Sequence, residues 1–159
     1  VSEQARRVTQ SVGLALDEAV VNQEALAWAR DYSFDLVSAL TDTTRDVVSR
    51  AMQAYVATPG MTRRELERAL LDAFGSPRAS AIATTEVTRA YSAGTNIVQS
   101  TLRESGIEMK RKWNVIGDEL VCPICAPLNG IIEDEWIGSY PSGPPAHVHC
   151  RCGTTLVVQ

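Results

Sequence analysis

Every cysteine and histidine of this 159-residue chain lies in one short window near its C-terminal end. The six residues are Cys122, Cys125, His147, His149, Cys150 and Cys152. The preceding 121 residues contain neither type. Two thiolates at C-x-x-C spacing can hold one tetrahedral cation from a tight turn, and a second pair of ligands completes the coordination. The window therefore predicts a structural metal site.

Six candidate ligands compete for the four positions of such a site. The first-ranked set is Cys122, Cys125, Cys150 and Cys152. His147 in place of one C-terminal cysteine is the close alternative, and His149 is expected at the surface or in support of a ligand. Zn²⁺ is favoured because thiolate and imidazole ligands suit a soft tetrahedral ion. A site filled by four protein ligands leaves no open position, so its role is structural.

Other roles for the cysteines remain open at this point. Two disulfides are the main alternative, and they would require an oxidising compartment. Free thiols or a redox C-x-x-C are the remaining options. The redox option is disfavoured because the motif does not open a helix in a βαβ unit.

The composition is that of an ordinary soluble protein of one or two small domains, with 45 % apolar and 21 % charged residues. A net charge of −4 argues against a protein that coats nucleic acid. No apolar run approaches the ~20 residues that cross a bilayer, and no signal peptide is visible. The chain begins with valine, which indicates either a processed start or a piece of a longer protein. We favour the second explanation.

Apolar spacing predicts helices over the first two thirds of the chain. The first predicted helix follows an N-cap at Asn22, and its apolar positions extend to Leu40. The second predicted helix begins near Thr43 or Thr44. Thr62-Arg-Arg-Glu65 forms a capping box for the third, which Gly75 ends. The fourth and longest is predicted from Pro77 or Arg78 to about 105. These stripes are typical of core packing.

The remaining residues predict a small β module that is rich in loops. Alternation over 109–115 indicates a strand, and Asn129-Gly130 indicates a tight turn into a second strand over 131–133. The β-branched residues of 154–158 predict a final strand. So small a unit buries little apolar surface, and a metal supplies the missing stability. The predicted fold class is α+β, with a mainly helical N-terminal region followed by a zinc-stapled β module.

Charged clusters in the module have two interpretations each. Lys110-Arg111-Lys112 with Trp113 and Arg151 could form a basic and aromatic face that binds DNA, although a solvated face is the simpler expectation. The run Glu133-Asp134-Glu135 predicts a solvated turn, with a cation contact as the alternative.

The order of these features resembles a known family. Its signature comprises Ile82-Ala83-Thr84-Thr85-Glu86, Lys112-Trp113, Asp118-Glu119, Cys122-x-x-Cys125, Leu128-x-Gly130 and Pro144-Pro145-x-His147-x-x-Cys150-Arg151-Cys152. The combination is similar to the Mu F-like minor head, or head morphogenesis, domain of tailed bacteriophages. The resemblance covers about 62–159, which leaves 1–61 as a helical N-terminal region and places the metal module at about 109–159. Family members often carry an arginine where this chain has Thr84, so an ion pair of that arginine with Glu86 is not expected here.

The resemblance implies a structural protein without enzymatic activity in this domain. It implies a phage or prophage origin, location in the head interior or at the portal vertex, and the host cytoplasm during assembly. Its partners would be the portal protein and the major capsid or scaffold protein, with double-stranded DNA and homo-oligomerisation left open and no membrane. The function would be head assembly and DNA packaging or delivery.

Two other function classes stay in competition. The Cys-x-x-Cys pair followed by His147 and His149 suggests a metal-dependent nuclease, although such enzymes need a base and a metal-binding helix after the histidines. A DNA-binding module is the other class, and it is compatible with a head protein.

Overall fold

The computed structural model describes residues 18–31, residue 37 and residues 40–158. Within these residues the N-terminal elements are four helices, α1 (Glu18–Asp31), α2 (Asp42–Ala57), α3 (Arg63–Phe74) and α4 (Ser76–Glu104). After them come β1 (Lys110–Asn114), a 3-10 turn (Ala126–Leu128), the short α5 (Glu133–Trp136) and β2 (Gly153–Val157). The α+β class is confirmed, since the chain is mainly helical with one small antiparallel sheet. Of the predicted helical N-terminal region, 1–17, 32–36 and 38–39 lie outside the described residues.

Capping boxes start α2 and α3. The Thr62 hydroxyl accepts a hydrogen bond from Glu65 N at 3.3 Å, and Glu65 Oε2 accepts one from Thr62 N at 2.7 Å. This confirms the capping box predicted for α3, and Thr41 forms the equivalent box before α2. The predicted N-cap at Asn22 is wrong, because α1 begins at Glu18. An asparagine inside a helix costs only a few tenths of a kcal/mol, so its presence alone does not mark a start.

One apolar core joins α2, α3 and α4. Its buried members are Val48, Met52, Leu66, Leu70, Ala79, Ile82, Ala83 and Ala90. The first two precede the predicted domain boundary at 61/62, and the others follow it. The packing is therefore continuous across that boundary. Among the described residues, none of the helices combines the length and the apolar character that a membrane crossing requires.

The long helix α4 continues from this core to the β module. Near its C-terminal end, Val98 and Leu102 pack with Met109, just before β1. A third cluster holds Trp113 and Trp136 together with Cys125 and Cys150. The metal-binding window thus folds against the same helix that completes the helical core.

β1 and β2 pair antiparallel, from Lys110 opposite Val157 to Asn114 opposite Gly153. Both strands were predicted and are confirmed. The strand predicted over 131–133 is wrong, because the segment forms only an isolated bridge between Ile132 and Lys112. Glu133 instead begins α5, where its carboxylate turns inward.

That carboxylate forms a buried ion pair with Arg111, and each residue is only 4 % exposed. Gln99 in α4 donates to Glu133 Oε1 at 2.6 Å, and Arg111 also donates to Asn96 Oδ1. The predicted solvated turn is therefore wrong for Glu133. The predicted DNA-binding face is wrong for Arg111 and for Trp113, which is fully buried. The cause is strand alternation, which points both side chains to the covered side of the sheet.

Candidate metal centre

Two loops bring the predicted ligands together. Cys122 and Cys125 lie in the loop after β1, where Cys125 N donates to Cys122 O at 3.1 Å and closes a tight turn. His147 and Cys150 lie in the loop before β2, where Cys150 N donates to His147 O at 3.2 Å in a second turn. Cys152 directly precedes β2. Each turn aims two side chains at the same point.

Five of the six candidates converge, in two groups that share Cys125. The groups are Cys122, Cys125 and His147, and Cys125, Cys150 and Cys152. Within each group all ligand atoms lie within 4.8 Å of one another. His149 belongs to neither group.

Individual distances match those of a tetrahedral zinc site. The sulfurs of Cys125 and Cys150 are 3.8 Å apart, and Cys125 Sγ lies 3.5 Å from His147 Nε2. Zinc–sulfur bonds of about 2.3 Å and zinc–nitrogen bonds of about 2.0 Å place tetrahedral ligands about 3.8 Å and about 3.5 Å apart. Cys122 Sγ lies closer to His147 Nε2, at 2.9 Å. The donor set therefore fits a soft divalent ion.

The orientation of His147 suits a metal ligand. Its Nδ1 lies 2.7 Å from the carbonyl oxygen of Val148. A carbonyl can only accept a hydrogen bond, so Nδ1 carries the proton and Nε2 can present its lone pair to a cation. Metal-binding histidines commonly use such a backbone partner to fix the tautomer and the ring.

The sulfurs compete for protons because they are so close together. Hydrogen bonding from Cys152 is the largest influence on Cys150 and holds the pKa of its thiol down, at about 5. Burial and the Cys150 charge raise the pKa of Cys125 to about 12, and the hydrogen bond with Cys150 raises that of Cys152. Of these three thiols, that of Cys150 therefore loses its proton first. A divalent ion would favour thiolates throughout.

The pKa values of the other two candidate ligands, Cys122 and His147, also reflect opposing effects of burial and charge. Burial raises the pKa of Cys122, but hydrogen bonds from backbone N–H groups and the His147 charge outweigh it, and the net change is downward. Burial lowers the pKa of His147, but the bond to Val148 and the charges of Cys150 and Cys122 raise it overall.

Aromatic side chains enclose the cluster on the sheet side. The ring centroid of Trp113 lies 5.2 Å from that of Trp136 and 5.5 Å from that of Tyr140. The buried indole N–H of Trp113 makes no hydrogen bond of normal geometry. The hydrogen bond with Cys150 and burial raise the pKa of the Cys152 thiol, and the interaction of its sulfur with Trp113 offsets part of that rise. A buried donor beside a sulfur is what a metal-bound thiolate would use.

Helix α4 holds the second loop through two threonines, Thr85 of the family signature and Thr88, which the sequence analysis did not name. Thr88 Oγ1 donates to Cys150 O at 2.7 Å, and Thr85 Oγ1 accepts from His149 N at 3.0 Å. His149 has a φ of 64° and an exposed side chain. The available signal was a run of small hydroxyl residues in the middle of a predicted apolar helix, where hydroxyl groups need partners.

A surface ion pair ties the two loops to each other. Arg151 donates to both carboxylate oxygens of Asp118 at 2.8 Å. The hydrogen bonds from Arg151 lower the pKa of Asp118. The pair connects the loop after β1 with the residue between Cys150 and Cys152.

All four cysteines are free thiols in the structure. The separation of 3.8 Å between Cys125 and Cys150 is well above the ~2.05 Å of a disulfide bond. The four thiols and one imidazole are thus arranged as a ligand set.

Comparison with protein families identifies the chain. It matches the family described as Phage Mu protein F like protein over residues 42–155. The chain belongs to this family. The match contains α2 to α4, β1, the first three residues of β2 and every candidate ligand, and it begins upstream of the predicted boundary at 62. Searches of curated proteins and of solved structures gave no match.

Membership in the Mu F-like family confirms the resemblance that the sequence signature indicated. It indicates a role in phage head morphogenesis, in association with other head proteins, and a location in the virion.

Proposed function

We propose that the chain is a minor head protein of a tailed bacteriophage or prophage. It acts at the portal vertex, together with the portal protein and the major capsid or scaffold protein, in head assembly and in DNA packaging or delivery. The observation that carries this proposal is the family match over 42–155, which covers the helical core and the metal centre as one unit.

The metal centre is proposed to hold Zn²⁺ as a structural ion. Cys125 and Cys150 would bind it, and Cys122, Cys152 and His147 compete for the two other positions. The ion would fasten the two loops that carry these residues, in addition to the apolar cluster around Trp113 and Trp136. The module would then present a rigid surface to its partners.

No enzymatic activity is proposed for this domain. Cys125 joins two groups of three donors, so protein side chains are available for all four positions around one ion, whereas a catalytic zinc site keeps one position open for water or substrate. The nuclease alternative predicts plasmid nicking with Mg²⁺ that disappears in His147→Ala. We expect no nicking by either protein.

Contact with DNA remains a proposal of its own. Lys112 and Arg151 are partly accessible, whereas Arg111 is buried in an ion pair with Glu133. Binding through phosphates would weaken with added salt, since counterions are released. A salt-insensitive affinity would exclude that mode.

The decisive test is whether the protein is built into heads. Heads purified from a lysate of the encoding phage should contain the chain at low copy number, and the isolated protein should co-sediment with portal rings. Recovery of the chain only as free protein, with none in heads or on portal rings, would overturn the proposal.

A further inference from the structure

A groove of about 590 Å³ lies between α4 and the metal module. One wall is a face of α4, from Ser80 to Thr95, and the other is formed by the loop after β1 with Ile116 and Leu120. The segment from Cys152 to Thr154 lies at the bottom, next to the metal centre. Of the candidate metal ligands, Cys152 lines the groove.

Apolar side chains are exposed along this groove. Tyr91 is 53 % exposed, Ile116 48 % and Leu120 74 %. They stand on opposite walls, so a partner between them would remove all three from water. Clustered exposed apolar groups of this kind mark interaction sites more often than isolated ones do.

Basic residues line this groove. Arg63 and Arg151 line it together with His149, and none of the described residues that line it is Asp or Glu. The chain as a whole has the opposite balance, with a net charge of −4. The described lining of the groove therefore offers guanidinium groups, and no carboxylate, to an acidic partner.

Each arginine already contacts one carboxylate outside the lining. Arg63 Nη1 lies 3.0 Å from Glu67 Oε2, and Arg151 pairs with Asp118. A guanidinium carries five N–H donors, so both arginines retain donors for a second carboxylate. Arg63 also reaches Thr84 Oγ1 at 3.5 Å, which directs it toward the groove.

The length of the groove limits its occupant. Ser80 and Thr95 are fifteen residues apart on one face of α4, a span of about 22 Å at 1.5 Å per residue. An extended chain of about seven residues has this length. In an extended chain, alternate side chains point to opposite sides, so apolar residues can meet one wall while acidic residues reach the arginines.

We propose that this groove binds an extended acidic segment, with interspersed apolar residues, from another protein of the phage head. The proposal rests on the head-protein function given above. The domain would recognise its partner through this groove. The groove lies beside the metal centre, because the loops of that centre carry Leu120 and Arg151.

Overlapping peptides that cover the other head proteins of the encoding phage provide the probe. Each fluorescent peptide is titrated with the zinc-loaded full chain and followed by anisotropy. The expected binders carry net negative charge and at least two apolar residues. Their affinity should fall at least tenfold with Leu120→Ser or with Arg63→Gln.

Two matched controls separate the groove from general surface effects. Val158 is 68 % exposed but lies outside the groove, so Val158→Ser should leave the affinity unchanged. Arg103 pairs with Glu108 at 3.3 Å outside the groove, and Arg103→Gln is the control for Arg63→Gln. Circular dichroism and zinc content of each variant establish that it is folded.

The outcomes distinguish this proposal from the head-protein function. If the protein is present in purified heads but no acidic peptide binds, or the binders are basic, or Leu120→Ser and Val158→Ser weaken binding equally, the groove proposal is overturned and the head function stands. Binding only to peptides of this chain itself would also overturn it, in favour of self-association. Absence of the protein from heads overturns the head function itself.

Discussion

The hydroxyl group of Thr88 in α4 donates a hydrogen bond of 2.7 Å to the backbone carbonyl oxygen of Cys150. Both residues are buried, and the Cys150 sulfur faces that of Cys125. The helix that completes the apolar core thereby holds the metal loop directly. Helical packing and the geometry of the metal centre should accordingly depend on each other.

Thr88→Val tests this dependence because it keeps the shape of the side chain and removes the donor. The Cys150 carbonyl is then buried without its partner, which costs about 1–3 kcal/mol. We expect a loss of that size in urea unfolding and weaker zinc binding in a chelator competition. Thr101→Val is the control, since its hydroxyl donates only to Ile97 O within the same helix. Equal effects of the two substitutions would contradict the link.

The ion pair of Arg111 and Glu133 provides the second prediction. Removal of one partner from a buried pair leaves an uncompensated charge, so Arg111→Met should lower the free energy of unfolding by about 3–5 kcal/mol. The double variant Arg111→Met/Glu133→Leu should recover part of that loss. Lys110→Met breaks the exposed pair with Asp134 and should have little effect. A double variant that is less stable than Arg111→Met alone would contradict this account.

Local signals in the sequence predicted much of the architecture. Thr62, Glu65 and Gly75 mark the ends of α3 through short-range hydrogen bonds and backbone conformation, and such signals are readable from neighbouring residues. The strand over 110–114 was likewise visible as alternation. The convergence of the candidate ligands was predicted because cysteines at C-x-x-C spacing have few other structural roles in a module of this size.

The wrong predictions for Arg111 and Glu133 and the missed contact of Thr88 have a common physical cause. Arg111 and Glu133 are both typical surface residues, and they become interior residues only because each neutralises the other across 22 positions of the chain. Thr88 meets Cys150 across 62 positions. Such pairings depend on how the module docks on α4, which no local pattern records. The same docking creates the groove, so sequence analysis did not find it.

The capping box of α3 predicts a dependence on pH. Hydrogen bonds from the backbone and the side chain of Thr62 lower the pKa of Glu65 below its ordinary value of 4.5. A carboxylate with a lowered pKa stabilises the folded state at neutral pH, and this contribution is lost as the pH falls below about 4.5.

Unfolding free energies of the wild type and of Glu65→Gln should therefore converge between pH 7 and about pH 3, with the wild type more stable at neutral pH. Thr62→Ala should cost about 1 kcal/mol at pH 7 through the lost N-cap. Thr43→Ala, at an exposed position that does not cap a helix, is the control. A constant difference between wild type and Glu65→Gln at all pH values would contradict the role of the Glu65 charge.

Cys125 should be the most sensitive of the candidate ligands, because its sulfur belongs to both groups of donors. Cys125→Ser is expected to lower zinc affinity by at least tenfold, as measured by competition with a coloured chelator. Cys122→Ser and Cys152→Ser should be milder, since five donors serve four positions and one can replace another. Wild-type affinity in Cys125→Ser would contradict a centre built around the sulfur that the two groups share.

Removal of the metal should loosen the β module and spare the helices. The ligands lie only in the two loops, and the core of α2, α3 and α4 contains none of them. A strong chelator should therefore shift tryptophan emission to the red, because Trp113 and Trp136 lose their enclosure, while the helical circular dichroism persists. Zn²⁺ should restore the emission and Mg²⁺ should not, since a hard cation disfavours thiolates. Cys125→Ser protein, which should hold little metal, provides the control and should respond weakly to the chelator. A chelator that left the emission of metal-loaded wild type unchanged would show that the loops hold their places without an ion.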